Sequence, residues 1–162
     1  MSMGSTLGRL FSFRWLRTRA SLTAAWEHRF HEGMIGFQEG RMADAERAYE
    51  AALDEADAFP PGDPRLTATL STLARVYCLQ GKYDLAEPLC RRALAIKEKT
   101  LGPAHSDVAA TLKDLVDILR AQGKTEEAEP LYRRALAILE RAIGPEFSEL
   151  AESIARSLDP PA

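Results

Sequence analysis

Two histidines near the start of the chain have the spacing of a metal-binding pair on one helix. His28 and His31 stand three residues apart, with Glu27 and Glu32 beside them. Two such side chains on the same helix face are able to bind Zn²⁺. The same composition is also typical of an exposed helix with a charged face, and no longer metal-binding motif accompanies it. We therefore expect neither a metal nor a cofactor.

The two cysteines, Cys78 and Cys90, lie on either side of Gly81. If they belong to two antiparallel helices, their heights differ by about six residues, or about 9 Å, and the helix axes lie about 8–10 Å apart. That separation disfavours a disulfide, so both are predicted to be free thiols, with Cys90 in the core. Two cysteines make no disulfide framework, which favours a reducing location such as the cytoplasm and leaves a membrane surface or an organelle matrix open.

The sequence carries no signature of catalysis. It has neither a glycine-rich phosphate loop nor a nucleophile elbow, and no nucleophile can be paired with a base. Its composition, 46% apolar and 28% charged, is typical of a folded domain. No apolar run reaches the length of about 18 residues that a membrane-spanning helix needs. We predict a protein that is not an enzyme and has no small-molecule substrate.

An internal repeat organises most of the chain. Residues 66–103 match residues 108–145 at a shift of 42 positions without a gap. The longest identical run is Arg-Arg-Ala-Leu-Ala-Ile, and a more diverged copy precedes both segments. Self-similarity at such a period is the signature of a repeat architecture. The sequence therefore predicts repeats at residues 26–62, 63–104 and 105–145, which together make up residues 26–145.

Each repeat has the pattern of two helices joined by a glycine turn. Asp63-Pro64 provides an N-cap followed by proline at the first helical position, and Gly81 provides the left-handed turn. Ser106 is the expected cap in the third repeat. The residues predicted to face inward are Leu66, Leu70, Leu73, Val76, Tyr77, Leu85, Leu89, Ala93 and Ile96 in the second repeat, and Leu112, Leu115, Val116, Leu119, Leu131, Ala135 and Ile138 in the third.

The pattern of large, small and aromatic residues resembles the tetratricopeptide repeat (TPR) family. In the three repeats it consists of Gly33, Gly36-Phe37, Ala45, Tyr49 and Ala52; of Leu70, Leu73-Ala74, Tyr77, Ala86, Cys90 and Ala93; and of Leu112, Leu115-Val116, Leu119, Ala128, Tyr132 and Ala135. The period of 42 residues is similar to that of the kinesin-light-chain subtype. The resemblance implies an all-α, right-handed solenoid of three helix-turn-helix repeats that binds other proteins. It also implies that His105 packs the loop between repeats.

The resemblance further implies a concave groove lined by the first helix of each repeat. The residues that it places there as partner contacts are Phe30, Met34, Phe37, Arg75, Lys113, Asp117 and Arg120. Kinesin-light-chain repeats carry paired asparagines in this groove, whereas this chain has Ser71-Thr72 and Lys113-Asp114 at those positions. A ligand of the groove is expected to combine an apolar anchor with charges of both signs.

Residues 1–25, which we call the arm, precede the repeats. Residues 1–26 contain four arginines and no acid, so they carry a formal charge of +4 and the remainder carries −7. The acidic remainder argues against nucleic-acid binding. Arginine mixed with aromatic side chains is typical of the anchors of protein interfaces. The arm residues expected to contact a partner are Arg9, Phe11, Phe13, Arg14, Trp15, Arg17 and Arg19.

Residues 146–162 are predicted to form a capping helix with a proline-rich end, because Leu150, Ile154 and Leu158 recur at a spacing of four. Taken together, these features predict a non-enzymatic interaction scaffold, an accessory or assembly subunit that its arm anchors in a larger complex. Two alternatives remain open: a free-standing adaptor that binds peptides in its groove, and a peripheral protein whose arm contacts a membrane surface.

Overall fold

The computed structural model describes the backbone of residues 5–143 and the side chains of residues 20–142. Within that part the chain forms six α-helices and no strand, as the sequence predicts. The helices are α1 (Ser5–Gln38), α2 (Met42–Ala56), α3 (Pro64–Leu79), α4 (Tyr83–Leu101), α5 (Ser106–Ala121) and α6 (Thr125–Ile143). They divide into two compact units, with α1 and α2 before Pro60 and α3 to α6 after Pro61. The predicted capping helix at 146–162 lies outside the described residues.

Helix α1 is longer than the repeat pattern predicts. It begins at Ser5, so the expected boundary between the arm and the first repeat, at residue 25, falls inside a helix. Residues 9–32 contain neither glycine nor proline, and their backbone therefore carries no residue that interrupts a helix. The side chains of the arm residues proposed as contacts lie outside the described part.

In the first unit, α1 and α2 pack closely through small residues. Ala45, Ala52 and Ala56 on α2 are fully buried. A Cβ atom added to Gly33 of α1 would lie 2.8 Å from the ring of Tyr49, so only glycine permits this approach. The first unit therefore depends on a glycine facing an aromatic ring.

The second unit, α3 to α6, repeats this hairpin twice, with Gly81 and Gly123 in the left-handed conformation at φ +73° and +77°. The predicted inward faces of α3 and α5 are confirmed, because all nine residues named for them are buried. On α4 the prediction is wrong for Leu85, which is 49% exposed, and Leu89 is only half-buried. The buried residues of α4 are Ala86, Cys90 and Ala93. Small side chains take these positions because the paired helices approach closely there.

The helix caps agree with the sequence in one repeat and differ in the other. The Asp63 carboxylate accepts a hydrogen bond from the Arg65 backbone N–H at 3.0 Å, as predicted. The prediction of Ser106 as the next cap is wrong, because His105 holds that position and its Nδ1 accepts from the Asp107 N–H at 3.1 Å. His105 is exposed, so its structural role is to cap α5 rather than to pack a loop.

A polar network, which we call the Glu87 network, joins the two hairpins of the second unit. The Glu87 carboxylate accepts from Lys124 Nζ at 2.7 Å and from Arg91 Nε at 2.9 Å. Arg91 also pairs with Glu127 at 3.2 Å. These contacts hold the pKa of Glu87 at about 2, mainly because of the hydrogen bond from Lys124. The carboxylate of one repeat is thus bound by the turn lysine of the next.

Candidate functional site

Helices α3, α4 and α5 of the second unit enclose a pocket of about 470 Å³, which we call the Cys90 pocket. Its floor consists of small and apolar side chains, while its rim carries hydroxyl groups and charges. The floor includes Ala74, Cys78, Cys90 and Ile118, and the rim includes Ser71, Arg75, Tyr83, Asp114 and Asp117. A volume of this size, apolar with a few polar groups, is typical of ligand-binding pockets.

Cys90 lines the pocket and is smaller than the residues at the equivalent positions of the other two repeats. In the repeat alignment Cys90 corresponds to Tyr49 and to Tyr132. The ring of Tyr49 is 2% exposed and packs edge-to-face on Phe30, with centroids 5.2 Å apart. The ring of Tyr132 lies under the Arg120 guanidinium at 5.3 Å. Cys90 has a single sulfur where the other two repeats have a phenol, and the space that a ring would fill stays open.

The charges around the pocket are not equally paired. Asp117 accepts a hydrogen bond from Lys113 Nζ at 2.7 Å, which raises the pKa of Lys113. Asp114 forms neither a hydrogen bond nor an ion pair with any residue of the described part. Desolvation by the pocket wall is the largest cause of a raised pKa of Asp114, and the negative charge of Asp117 adds to it. Asp114 is therefore the carboxylate that a ligand would find without a partner.

The two thiols of the pocket are free and weakly acidic. Cys90 is buried and Cys78 is half-buried, and neither forms a disulfide, as the sequence predicts. Burial raises the pKa of Cys90 to about 12 and also raises the pKa of Cys78. Both therefore remain protonated at neutral pH, where a thiol is a poor nucleophile. Their contribution to the pocket is space and polarizable surface.

The structure brings only some of the expected groove residues together. Arg75 and Asp117 both line the Cys90 pocket. Lys113 is held by Asp117, and the Arg120 guanidinium is stacked on Tyr132. The other three expected contacts, Phe30, Met34 and Phe37, belong to the first unit.

Within the first unit these three residues differ in exposure. Phe30 is half-buried and stacks on Trp26, with ring centroids 4.9 Å apart. Phe37 is half-buried, and Met34 is 39% exposed. Phe30 thus contributes to the packing of this unit, whereas Met34 leaves apolar surface exposed.

Sequence reasoning did not assign Tyr83, Cys90 or Ile118 to the site. Tyr83 and Cys90 lie on the second helix of their repeat, whereas the family resemblance points only to the first helices. Ile118 lies on the inward side of α5 and is buried. A signal was nevertheless present for Cys90, because a cysteine stands there between two tyrosines in the aligned repeats.

The first unit contains a second pocket, of about 420 Å³, lined by three arginines that are all engaged in ion pairs. Arg29 pairs with Glu32 at 3.2 Å, while Arg41 and Arg47 pair with Asp44 at 2.7 and 2.5 Å. Each arginine that lines it thus has a carboxylate partner. The pocket has no unpaired cation for an anionic ligand.

The histidine pair considered at the start has a local role. His28 Nε2 lies 3.4 Å from a carboxylate oxygen of Glu32, and both side chains are exposed. Among the side chains of residues 20–142, no group of three or more histidine, cysteine or acidic residues is arranged to hold a metal. No helix in the described part is long and apolar enough to cross a membrane.

Two family models, each described as tetratricopeptide repeat, match residues 12–63 and 65–141. The chain belongs to the tetratricopeptide repeat family. The Cys90 pocket lies entirely in the second matched range. The first match begins inside the arm, in agreement with the continuous helix α1. The expected all-α TPR class is confirmed.

Two solved structures are similar to this TPR chain. BtubC (BKLC) from P. vanneervenii is 27% identical, with a TM-score of 0.58 and coverage of 77% of this chain. This chain spans 57% of BtubC. The N-terminal domain of stress-induced protein-1 (STI-1) from C. elegans is 16% identical, with a TM-score of 0.62 and coverage of 83% of this chain and 97% of that domain. The second likeness shows the fold alone, and the first is consistent with a kinesin-light-chain-like subtype.

Proposed function

We propose that this TPR protein is a non-enzymatic scaffold that binds other proteins as an accessory or assembly subunit of a larger complex. Membership of the TPR family carries the proposal, because stacked helical repeats of this kind present extended surfaces to protein partners. The proposed anchor is the arm, in which arginines occur without any acid. The proposed location is a reducing compartment such as the cytoplasm.

The anchoring role is tested with two variants that lose the same charge. One carries Arg14→Gln and Arg17→Gln in the arm. The other carries Lys99→Gln and Arg141→Gln, at two exposed and mutually equivalent repeat positions on α4 and α6. After mild affinity purification and mass spectrometry, we expect a defined set of partners to be lost from the arm variant only. Retention of the same partners by both variants would contradict the anchoring role.

A second candidate function is a free-standing adaptor that captures peptides. The Cys90 pocket supports it, because the pocket combines an apolar floor with charges on its rim. The contacts proposed for this role are those expected for the groove, above all Arg75 and Asp117. An adaptor loses its partners on Arg75→Ala or Asp117→Ala and keeps them on substitution of the arm.

A further inference from the structure

We propose that the Cys90 pocket selects a lysine or arginine side chain of a partner polypeptide, with the aliphatic stem on the floor and the charge against Asp114. The inference rests on the proposed interaction function and specifies the chemistry of the partner.

The shape of the pocket favours one inserted side chain. Its floor of Ala74, Cys90 and Ile118 is apolar, and it is open because Cys90 replaces a tyrosine. The methylene groups of lysine and arginine pack well against such surface while their charged ends reach a polar rim.

The charges on the rim favour a cation. Asp117 is bound by Lys113, and Arg75 has an interaction of its own. Lys97 donates to Thr111 Oγ1 at 2.9 Å. Arg75, Lys97 and Lys113 act on Asp114 through space, and none forms an ion pair with it in the described part. Asp114 is exposed on the rim and only partly desolvated, so a cationic ligand gains a charge-assisted hydrogen bond from it, which a neutral or anionic ligand does not.

The surroundings of the mouth favour a polypeptide over a free amine. Leu79 and Ala121 both line the pocket and are exposed, Leu79 to 60%. This apolar surface lies beside the opening, where a small amine would leave it uncovered. A peptide with an apolar residue next to its lysine or arginine covers it.

The chemistry of the pocket is tested on the full chain with three probes of nearly equal size: benzylamine, benzyl alcohol and benzoate. Methyl NMR signals of Ile118 and Ala74 report occupancy at neutral pH. We expect benzylamine to bind about tenfold more tightly than the other two, the difference that one charged hydrogen bond supplies. Asp114→Asn should abolish this preference, and Cys90→Tyr should abolish binding by filling the space.

Matched controls separate the site from general effects. Glu126→Gln removes an acid that lies outside the pocket, and Cys90→Ala keeps the pocket open. Both should bind benzylamine as the natural chain does. Equal binding of the three probes, a preference for benzoate, no binding, or an unchanged preference in Asp114→Asn would overturn the proposal. The partner purification above is independent of this result, so a failure here is distinguishable from a failure of the scaffold function.

Capped pentapeptides test whether the occupant is a polypeptide. Leucine, methionine, phenylalanine or tryptophan flanks a central arginine, and the matched controls carry citrulline instead. At least one arginine peptide should bind more tightly than benzylamine and lose affinity on Asp114→Asn. If none does, the polypeptide occupant is overturned. Self-association of the full chain that Asp114→Asn abolishes would identify the arm of a second copy as occupant and overturn a foreign partner.

Discussion

At the scale of the residue, Glu87 shows how a single carboxylate holds two repeats together. Its side chain is only 15% exposed. It accepts hydrogen bonds from Arg91 on its own helix and from Lys124 of the following hairpin. Glu129 occupies the equivalent position one repeat later, where its ion pair is with Arg133 on the same helix at 2.9 Å. The two glutamates therefore form a natural comparison between a bridge across repeats and a pair within one helix.

We predict that Glu87→Gln lowers the free energy of unfolding by about 2 kcal/mol at pH 7, because it removes charged hydrogen bonds from a largely buried group. The folded-state pKa of Glu87 is depressed from 4.5 to about 2. Its contribution is thus fully present above pH 4.5 and is lost as the pH falls through about 2. Urea unfolding followed by circular dichroism should show this difference in the free energy of unfolding at pH 7 and its disappearance near pH 2.

The control is Glu129→Gln, which should lower the free energy of unfolding by about 0.5 kcal/mol or less, as expected for an exposed ion pair. Equal costs for the two variants would contradict the bridging role.

At the scale of the element, α1 and α2 are fitted to each other by a glycine. We predict that Gly33→Ala destabilises the protein by about 1–3 kcal/mol through overpacking against Tyr49, despite the better helix propensity of alanine. Thermal unfolding by circular dichroism measures the change. In a Tyr49→Leu background the same substitution should be neutral or stabilising, because the ring is gone. A stabilising effect in the natural background would show that the helices are not in close contact there.

The cap of α5 gives a second prediction at this scale. His105→Ala should lower the free energy of unfolding by about 1 kcal/mol, because the Asp107 N–H loses its acceptor. His105→Asn should restore most of the loss, since asparagine is among the best N-caps. Urea unfolding of the three proteins distinguishes a cap from a packing residue, for which asparagine would be as harmful as alanine.

The elements also show how far sequence reasoning extends. The inward faces of α3 and α5 could be predicted from helical spacing, because their large apolar residues all lie on one face of the helix and that face is buried. Spacing identifies Ala93 correctly on α4 but misplaces Leu85, which faces outward while Ala86 faces inward. The distance between the paired helices determines which side chains of α4 are buried, and a single sequence does not show that distance directly. The Cys90 pocket was missed for a different reason, because the family resemblance points to the first helices and Cys90 lies on the second helix of its repeat.

At the scale of the whole molecule, we expect the two hairpins of the second unit to unfold together. Packing between α4 and α5 and the Glu87 network join them, and neighbouring repeats coupled in this way unfold cooperatively. We predict that the backbone amides of Leu73 and Leu115 exchange with the same free energy in native-state hydrogen exchange. Glu87→Gln should lower that energy for both. A clearly lower free energy of exchange at Leu73 than at Leu115 in the natural chain would contradict the coupling.

The alternation of tyrosine, cysteine and tyrosine at positions 49, 90 and 132 makes the location of the open space a matter of one residue per repeat. A double variant that carries Cys90→Tyr and Tyr132→Cys should close the Cys90 pocket and open a space at position 132, one repeat further along, without moving any helix. Each repeat thus has an equivalent position that is either filled by a tyrosine ring or left open by a smaller residue. A partner's docking register can thus drift along such an array by point substitution alone, without any insertion or deletion.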